Sequence, residues 1–488
     1  MTTQNSNNNG STPKYTRIKE QPGNPFASLI PDQQIAVIPS FTLESGVTLH
    51  NLPLAYTTRG KLSANADNVM VICHALTGSA DVSDWWGPLI GGPGRVFDTS
   101  RFFVVCMNSL GSPYGTASPV TAKDGDPEKG NYGPEFPLTT IRDDVNLHKL
   151  LLDELGVRQI ATVIGGSMGG MLVLEWAYFG KDYVRCIVPI ATSSQHSAWG
   201  ISWGEAQRQS IYADPKYEDG YYSFSEPPAT GLGAARMAAL LTYRSRNSFE
   251  ARFGRNIPNP ARRQTIRETP PPTTPSEAHF QIHNDGHKIT RLSPKNGRTN
   301  LPSQLPNSNE ATAKSLDPQF SGPKTGSLTG GDSLPSSTYF SAQSYLRYQG
   351  EKFVKRFDSN CYIAITRKLD THDVSRYRAE SIAEALALIE QPTLVLGIES
   401  DGLFTFAEQE ELAKHIKNAR LEKIDSQEGH DAFLLQFEQV NRYILKFLNE
   451  ILPDVMSKDG EHVEAASVGQ LLKSSTFGEA EVEDITAW

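Results

Sequence analysis

Several short runs of the 488-residue chain are apolar almost without interruption, where a half-buried strand would alternate. They are Val69-Met70-Val71-Ile72-Cys73, Phe102-Phe103-Val104-Val105-Cys106, Ile160 to Ile164, Cys186-Ile187-Val188-Pro189-Ile190 and Pro392 to Ile398. Runs of this length predict strands covered on both faces. Helical patterns fall between them. Thr140-Ile141-Arg142-Asp143 opens one with a capping-box-like start, with Asp in the Glu position. Apolar residues at Ile141, Val145, Leu151, Leu152 and Leu155 continue it until Gly156 closes it. An apolar helical run begins at Met171, another helical stretch lies around Ala407 to Ile416, and a short strand-like run spans Leu421 to Ile424. Alternating strands and helices predict the α/β class, with a doubly wound, mostly parallel sheet.

The most informative punctuation is Gly165-Gly166-Ser167-Met168-Gly169-Gly170, placed where the run ending at Ile164 meets the helix beginning at Met171. A Gly-x-Ser-x-Gly turn between strand and helix is the nucleophile elbow of the α/β-hydrolase fold, with the serine hydroxyl lifted off the sheet edge. A helix N-terminus beneath it supplies free N–H groups for a developing oxyanion. Without that context the string reads equally as a Gly-rich connection.

A serine nucleophile needs a base, and a group to orient the base; in this fold the acid comes next in the chain and the histidine last. Glu399-Ser400-Asp401-Gly402 follows the strand ending at Ile398, and Asp401 is the expected orienting acid, with Glu399 its rival. Ser426-Gln427-Glu428-Gly429-His430-Asp431 places His430 in a loop before a helix, as the general base. The other ten histidines have a poorer claim. His50, His74, His148, His196 and His372 come too early, and His462 lies in the polar tail. His279, His283 and His287 fall in a polar, irregular segment, and His415 lies on a helical face. The oxyanion hole is expected to combine the N–H of Met168 with a main-chain N–H near Leu76, in the loop His74-Ala75-Leu76-Thr77-Gly78 after an earlier strand.

Taken in order, His74 to Gly78, Asp84-Trp85-Trp86, Gly91-Gly92-Pro93-Gly94, Asn108-Ser109-Leu110-Gly111, Gly165 to Gly170 and Gly429-His430-Asp431 resemble the homoserine O-acetyltransferases, in their longer fungal form. The resemblance covers most of Phe41 to Ile257 and Ser341 to Leu452. It implies a double displacement in which acetyl-CoA, as co-substrate, acylates Ser167 and L-homoserine then takes the acetyl group. It also implies that Arg236, in Gly231-Leu232-Gly233-Ala234-Ala235-Arg236-Met237, pairs with the acceptor carboxylate, that Tyr243 assists, and that Asp431 receives the ammonium. A guanidinium fork suits a carboxylate. Read from the residues alone, the alternatives are a surface helix arginine at Arg236 and a helix N-cap at Asp431. L-serine or deacetylcephalosporin C as acceptor, succinyl-CoA as donor, water as acceptor in an esterase, and a non-enzymatic binding protein remain alternatives. A homodimer contact through lid helices is implied by the resemblance only.

Composition narrows the setting. A net charge of −9 and a pI near 5.7 argue against general affinity for nucleic acid or anionic membrane. No apolar run reaches 18 residues. Cys73, Cys106, Cys186 and Cys361 are scattered and read as buried thiols, with no metal or bound cofactor required. The polar start Met1 to Gly10 has no signal core, so a cytoplasmic location is expected. Between Ile257 and Thr338 lie 12 of the 31 prolines, with almost no periodic apolar pattern. The expected organisation is therefore a flexible segment (1–40), a first part of the core (41–195), a helical lid (196–256), a disordered insertion (257–338), a lid return (339–360), a second part of the core (361–452) and an acidic mobile tail (453–488).

Overall fold

The computed structural model describes residues 14–257, 274–287 and 340–458. The chain divides into two units, one made of Met1–Asn256 with Ser341–Trp488 and the other of Ile257–Phe340. The strands of the first unit are β1 (Thr16–Ile18), β2 (Gln34–Thr42), β3 (Thr48–Arg59), β4 (Val69–Cys73), β5 (Ile90–Gly91), β6 (Phe97–Asp98), β7 (Phe103–Met107), β8 (Ile160–Gly166), β9 (Val184–Ile190), β10 (Thr393–Gly397) and β11 (Ala419–Lys423). Its early helices are α1 (Val82–Trp86), α2 (Ile141–Glu154), α3 (Met168–Ala177), α4 (Ala198–Tyr212), α5 (Ala229–Tyr243) and α6 (Arg246–Arg252). The second unit holds α7 (Pro275–His283). The first unit resumes with α8 (Ser341–Phe353), α9 (Ser359–Asp370), α10 (Ile382–Ala387), α11 (Phe406–His415), α12 (Ala432–Leu435), α13 (Phe437–Ile451) and α14 (Pro453–Met456).

Nine strands form one sheet in the order β1-β2-β3-β7-β4-β8-β9-β10-β11. From β7 to β11 every pairing is parallel. Burial explains the unbroken apolar runs. Val69, Val71 and Cys73 of β4 enter one core and Met70 and Ile72 the other, so both faces of the strand are covered. Helix α2 starts as its sequence predicts: Asp143 N–H donates to Thr140 Oγ1 at 3.1 Å and Thr140 N–H donates to Asp143 Oδ2 at 2.8 Å. The four cysteines are free and buried.

Three expectations need correction. Residues 1–40 are not one flexible segment: β1 and most of β2 fall there, with Tyr15 and Ile30 buried. The sheet itself is mostly parallel, as expected, with an antiparallel edge. β1, β2 and β3 run antiparallel, and β3 joins the parallel part through an antiparallel pairing with β7. β2 and β3 flank the turn at Gly46 (φ +83), and their buried and exposed positions follow no regular period, so the hairpin leaves no clear pattern in the sequence. Within the proline-rich segment, α7 is a helix capped by Thr274, which accepts from Glu277 N–H, so His279 and His283 are helical rather than in irregular chain. The expected mobile tail, 453–488, begins with the helix α14, whose Val455 is buried in the core. The remainder of the proline-rich segment and residues 459–488, with His462, lie outside the described residues.

Candidate active site

Ser167 stands between β8 and α3 with φ 60° and ψ −126°, a backbone conformation that costs a non-glycine residue about 1–3 kcal/mol and persists where the surroundings enforce it. They do so by close approach. A Cβ on Gly169 would lie 3.0 Å from His74 O and nearer still to the Cys73 carbonyl, and one on Gly166 would lie 2.7 Å from Cδ2 of Phe433. Ser167 N–H donates to Ile190 O at 3.0 Å, and Thr192 Oγ1 donates to Ser167 O at 2.8 Å. The elbow is thus tied to the neighbouring β9 as well as to its own helix.

Asp401 and His430 meet. The Asp401 Oδ2 to His430 Nδ1 distance is 2.6 Å, and both residues are buried. Oδ1 of the same carboxylate accepts from Leu403 N–H at 2.8 Å and Phe404 N–H at 3.0 Å, so its orientation is set by the backbone. A neutral imidazole that donates from Nδ1 keeps its lone pair on Nε2, the nitrogen a general base uses. The rings of Phe404, Phe433 and Tyr243 surround it at 5.3, 5.5 and 6.1 Å. Glu399 is exposed and pairs with Lys423 at 3.0 Å. Ser167, His430, Leu76, Tyr243 and Asp431 line one cavity of about 960 Å³, counted out to its solvent mouth.

The loop after β4 is held from two directions. His74 Nε2 accepts from Ser109 N–H at 3.0 Å, which leaves Nδ1–H to donate to Ala75 O at 2.8 Å. Burial pushes its pKa down to about 4, so the ring is neutral at physiological pH. Arg356 Nη1 donates to Thr77 O at 3.1 Å and to Tyr114 Oη at 2.9 Å. Leu76 therefore sits between two fixed carbonyls. His148 and His372 are likewise buried against carbonyls, with pKa values lowered to about 3 and about 4 chiefly by burial. His196 does line the cavity, with burial and then His372 pushing it to about 4.

The expected acceptor residues divide. Tyr243 and Asp431 face the cavity, whereas Arg236 does not line it. Arg236 is buried, its guanidinium 5.5 Å from the Tyr243 ring centroid and 4.9 Å from that of Phe353. A surface arginine is thereby excluded. Asp431 stands at the start of α12 without a side-chain capping bond, and its Oδ2 meets Arg244 Nε at 2.8 Å. Arg244 and Arg356 are the residues sequence reasoning passed over. Arg244 had a visible marker, its place directly after Tyr243; Arg356 had none, because its partner Thr77 lies 279 residues away. Among the described residues no group of three or more His, Cys, Asp or Glu side chains is placed to hold a metal ion. No helix among them is long and apolar enough to cross a membrane.

Comparison with known proteins adds a family. A family model described as the alpha/beta hydrolase fold matches residues 68–284. The chain is 68% identical over 490 residues to a homoserine O-acetyltransferase of Emericella nidulans, covering 98% of this chain and 99% of that one. It is 60% identical to one from Ascobolus immersus, covering 97% of each chain. A third, from Schizosaccharomyces pombe, is 56% identical and covers 96% of each. Among solved structures, a homoserine O-acetyltransferase from Bacillus anthracis superposes with a TM-score of 0.64 at 20% identity, covering 86% of this chain and 97% of that one. Esterase E22 superposes with the same score at 21% identity, covering 85% and 99%. These two structural likenesses speak to the fold alone.

Proposed function

We propose, from the premise that this chain belongs to the homoserine O-acetyltransferase family, that it transfers an acetyl group from acetyl-CoA to the side-chain hydroxyl of L-homoserine, an early step toward methionine. In the first half, His430 takes the proton of Ser167 as its oxygen attacks the thioester carbonyl. The N–H groups of Leu76 and Met168 stabilise the oxyanion. The tetrahedral intermediate collapses, the carbon–sulfur bond breaks, and the imidazolium returns its proton to the leaving thiolate, releasing CoA. In the second half, His430 takes the proton of the homoserine hydroxyl as it attacks acetyl-Ser167. The serine oxygen leaves and regains the proton. Asp401 stabilises the imidazolium in both halves and is not itself protonated.

The observation that carries this reading is the 2.6 Å Asp401–His430 contact beside a cavity that also reaches Ser167, Tyr243 and Asp431. Asp431 takes the acceptor ammonium in this reading. Arg236 takes the carboxylate in this reading because the family resemblance implies it, and its guanidinium stands 5.5 Å from the ring of Tyr243, which lines the cavity. Water is disfavoured as an acceptor because it gains neither contact. A cytoplasmic location belongs to the same reading. The chemistry is complete within one chain whether or not lid helices pair two copies.

The test is acceptor competition. Purified protein is given acetyl-CoA or succinyl-CoA with homoserine, serine, deacetylcephalosporin C or water alone, and CoA release and the acylated product are followed together. Homoserine should accelerate CoA release and be acetylated. Release indifferent to homoserine would leave an esterase, and preference for another acceptor or for the succinyl donor would reassign the substrate.

A further inference from the structure

Arg244 follows the last residue of α5 and is 7% exposed. Its Nη1 lies 2.7 Å from Glu428 Oε2 and its Nε 2.8 Å from Asp431 Oδ2. These carboxylates bracket His430 in the chain, one two residues before it and one directly after. Helix α6 adds to the same grip. Arg252 Nη2 meets Glu428 Oε2 at 2.7 Å, Ser248 Oγ donates to that oxygen at 2.6 Å, and the Ser245 hydroxyl donates to Gln427 O. From the other side, Gly429 N–H donates to Ser400 Oγ at 3.1 Å, which in turn donates to Ser426 O at 2.8 Å. The His430 loop is therefore suspended between the loop after β10 and the end of the lid.

We propose that Arg244 is a positioning residue for acyl transfer: one guanidinium from the lid grips both carboxylates flanking His430, setting the base and the acceptor-binding helix α5 in a single register. The proposal rests on His430 being the base. A guanidinium can do this because its charge is spread over a rigid plane, so that Nη1 donates to Glu428 while Nε stands at ion-pair distance from Asp431, whereas a lysine offers one mobile point charge. Arg244 also shapes the field at the imidazole. The charged groups around His430 are Asp401 at Nδ1, with Glu408 of α11 beyond it, Asp431 and Glu428 on its own loop, and Arg244 and Arg252 from the lid; Tyr243 packs beside it from α5. Burial works against the charge on Arg244, but Asp431, Tyr345 of α8 and Glu428 more than restore it. Removing that cation leaves buried carboxylates to favour imidazolium, so the base is protonated up to a higher pH.

The experiment measures kcat/KM for CoA release and for transfer to homoserine from pH 5 to 9, in the full chain and four variants. Arg244→Met should move the acid limb upward by roughly half to one pH unit and lower the plateau about tenfold or more in both halves, since the base serves both. Arg244→Lys should keep the limb in place, because the charge stays, with a reduced plateau. Glu428→Gln should move the limb the opposite way. His430→Ala should abolish both halves; if it keeps wild-type turnover, the base assignment falls and the positioning role with it. With that assignment intact, a folded Arg244→Met whose limb stays at the wild-type position overturns the inference. If Arg244→Met does not fold, an unmoved limb in Glu428→Gln overturns it instead, and a downward shift supports it.

Discussion

Replacing Gly429 by alanine should damage catalysis through backbone geometry while leaving every polar group of the site in place. Gly429 has φ +75°, and a Cβ there would lie 2.8 Å from the Arg244 carbonyl carbon, 3.0 Å from Tyr243 O and closer still to Ser245 N. All three are backbone atoms of the lid, so no side-chain rotation relieves the contact. The left-handed conformation costs an alanine about 1–2 kcal/mol, and forced overlap in a packed region adds about 1–3 kcal/mol. The expected destabilisation is therefore about 2–5 kcal/mol, unless the loop pulls away from the lid. If it does, His430, the next residue, moves with it, and a displacement near 1 Å costs on the order of 100-fold in rate. Gly402→Ala is the matched control: a Cβ there meets nothing within 4 Å, one residue beyond Asp401. Thermal unfolding and kcat/KM for homoserine-dependent CoA release should separate the two variants. A Gly429→Ala protein with wild-type melting and rate would refute the claim that lid backbone and histidine loop are in fixed contact.

Other substitutions probe the remaining links. Ser167→Ala should lose activity by roughly 10⁴-fold or more in both half-reactions, and near-full turnover would mean another nucleophile is used. Asp401→Asn should fall about 10⁴-fold by favouring the wrong imidazole tautomer, while Glu399→Gln, altering only an exposed pair with Lys423, should stay within twofold; reversed results would exchange the two acids. Arg236→Lys should raise the homoserine KM about tenfold while changing the acetyl-CoA half-reaction less; equal damage to both would mark Arg236 as purely structural. Lys368→Met removes the partner of Asp144, a wholly buried pair 2.5 Å apart, and should cost about 3–5 kcal/mol at neutral pH. Burial already raises the Asp144 carboxyl above its usual value despite Lys368. Without the lysine its folded-state pKa rises further above the unfolded value, so the variant should be least impaired near pH 4 and lose ground to wild type as pH rises. Unfolding curves showing the opposite slope would disprove this.

The parts legible in the sequence are those whose cause is local. The β8–Ser167–α3 turn was readable because glycines must stand where chain passes within contact distance of chain, as at Gly169 beside Cys73. The parallel strands were readable because a strand covered on both faces has no polar side to alternate with, and Asp401 and His430 followed from chain order once the elbow was placed. The tertiary structure alone decided which charges meet. Nothing near Arg236 announces that it is buried behind Tyr243 against Phe353, and nothing near Asp431 announces Arg244 as its partner. A hydrophobic period records whether a position is covered but not by which distant segment. Ion pairs such as Lys368 with Asp144, and carbonyl grips such as Arg356 on Thr77, exist only once the helices have docked on the sheet.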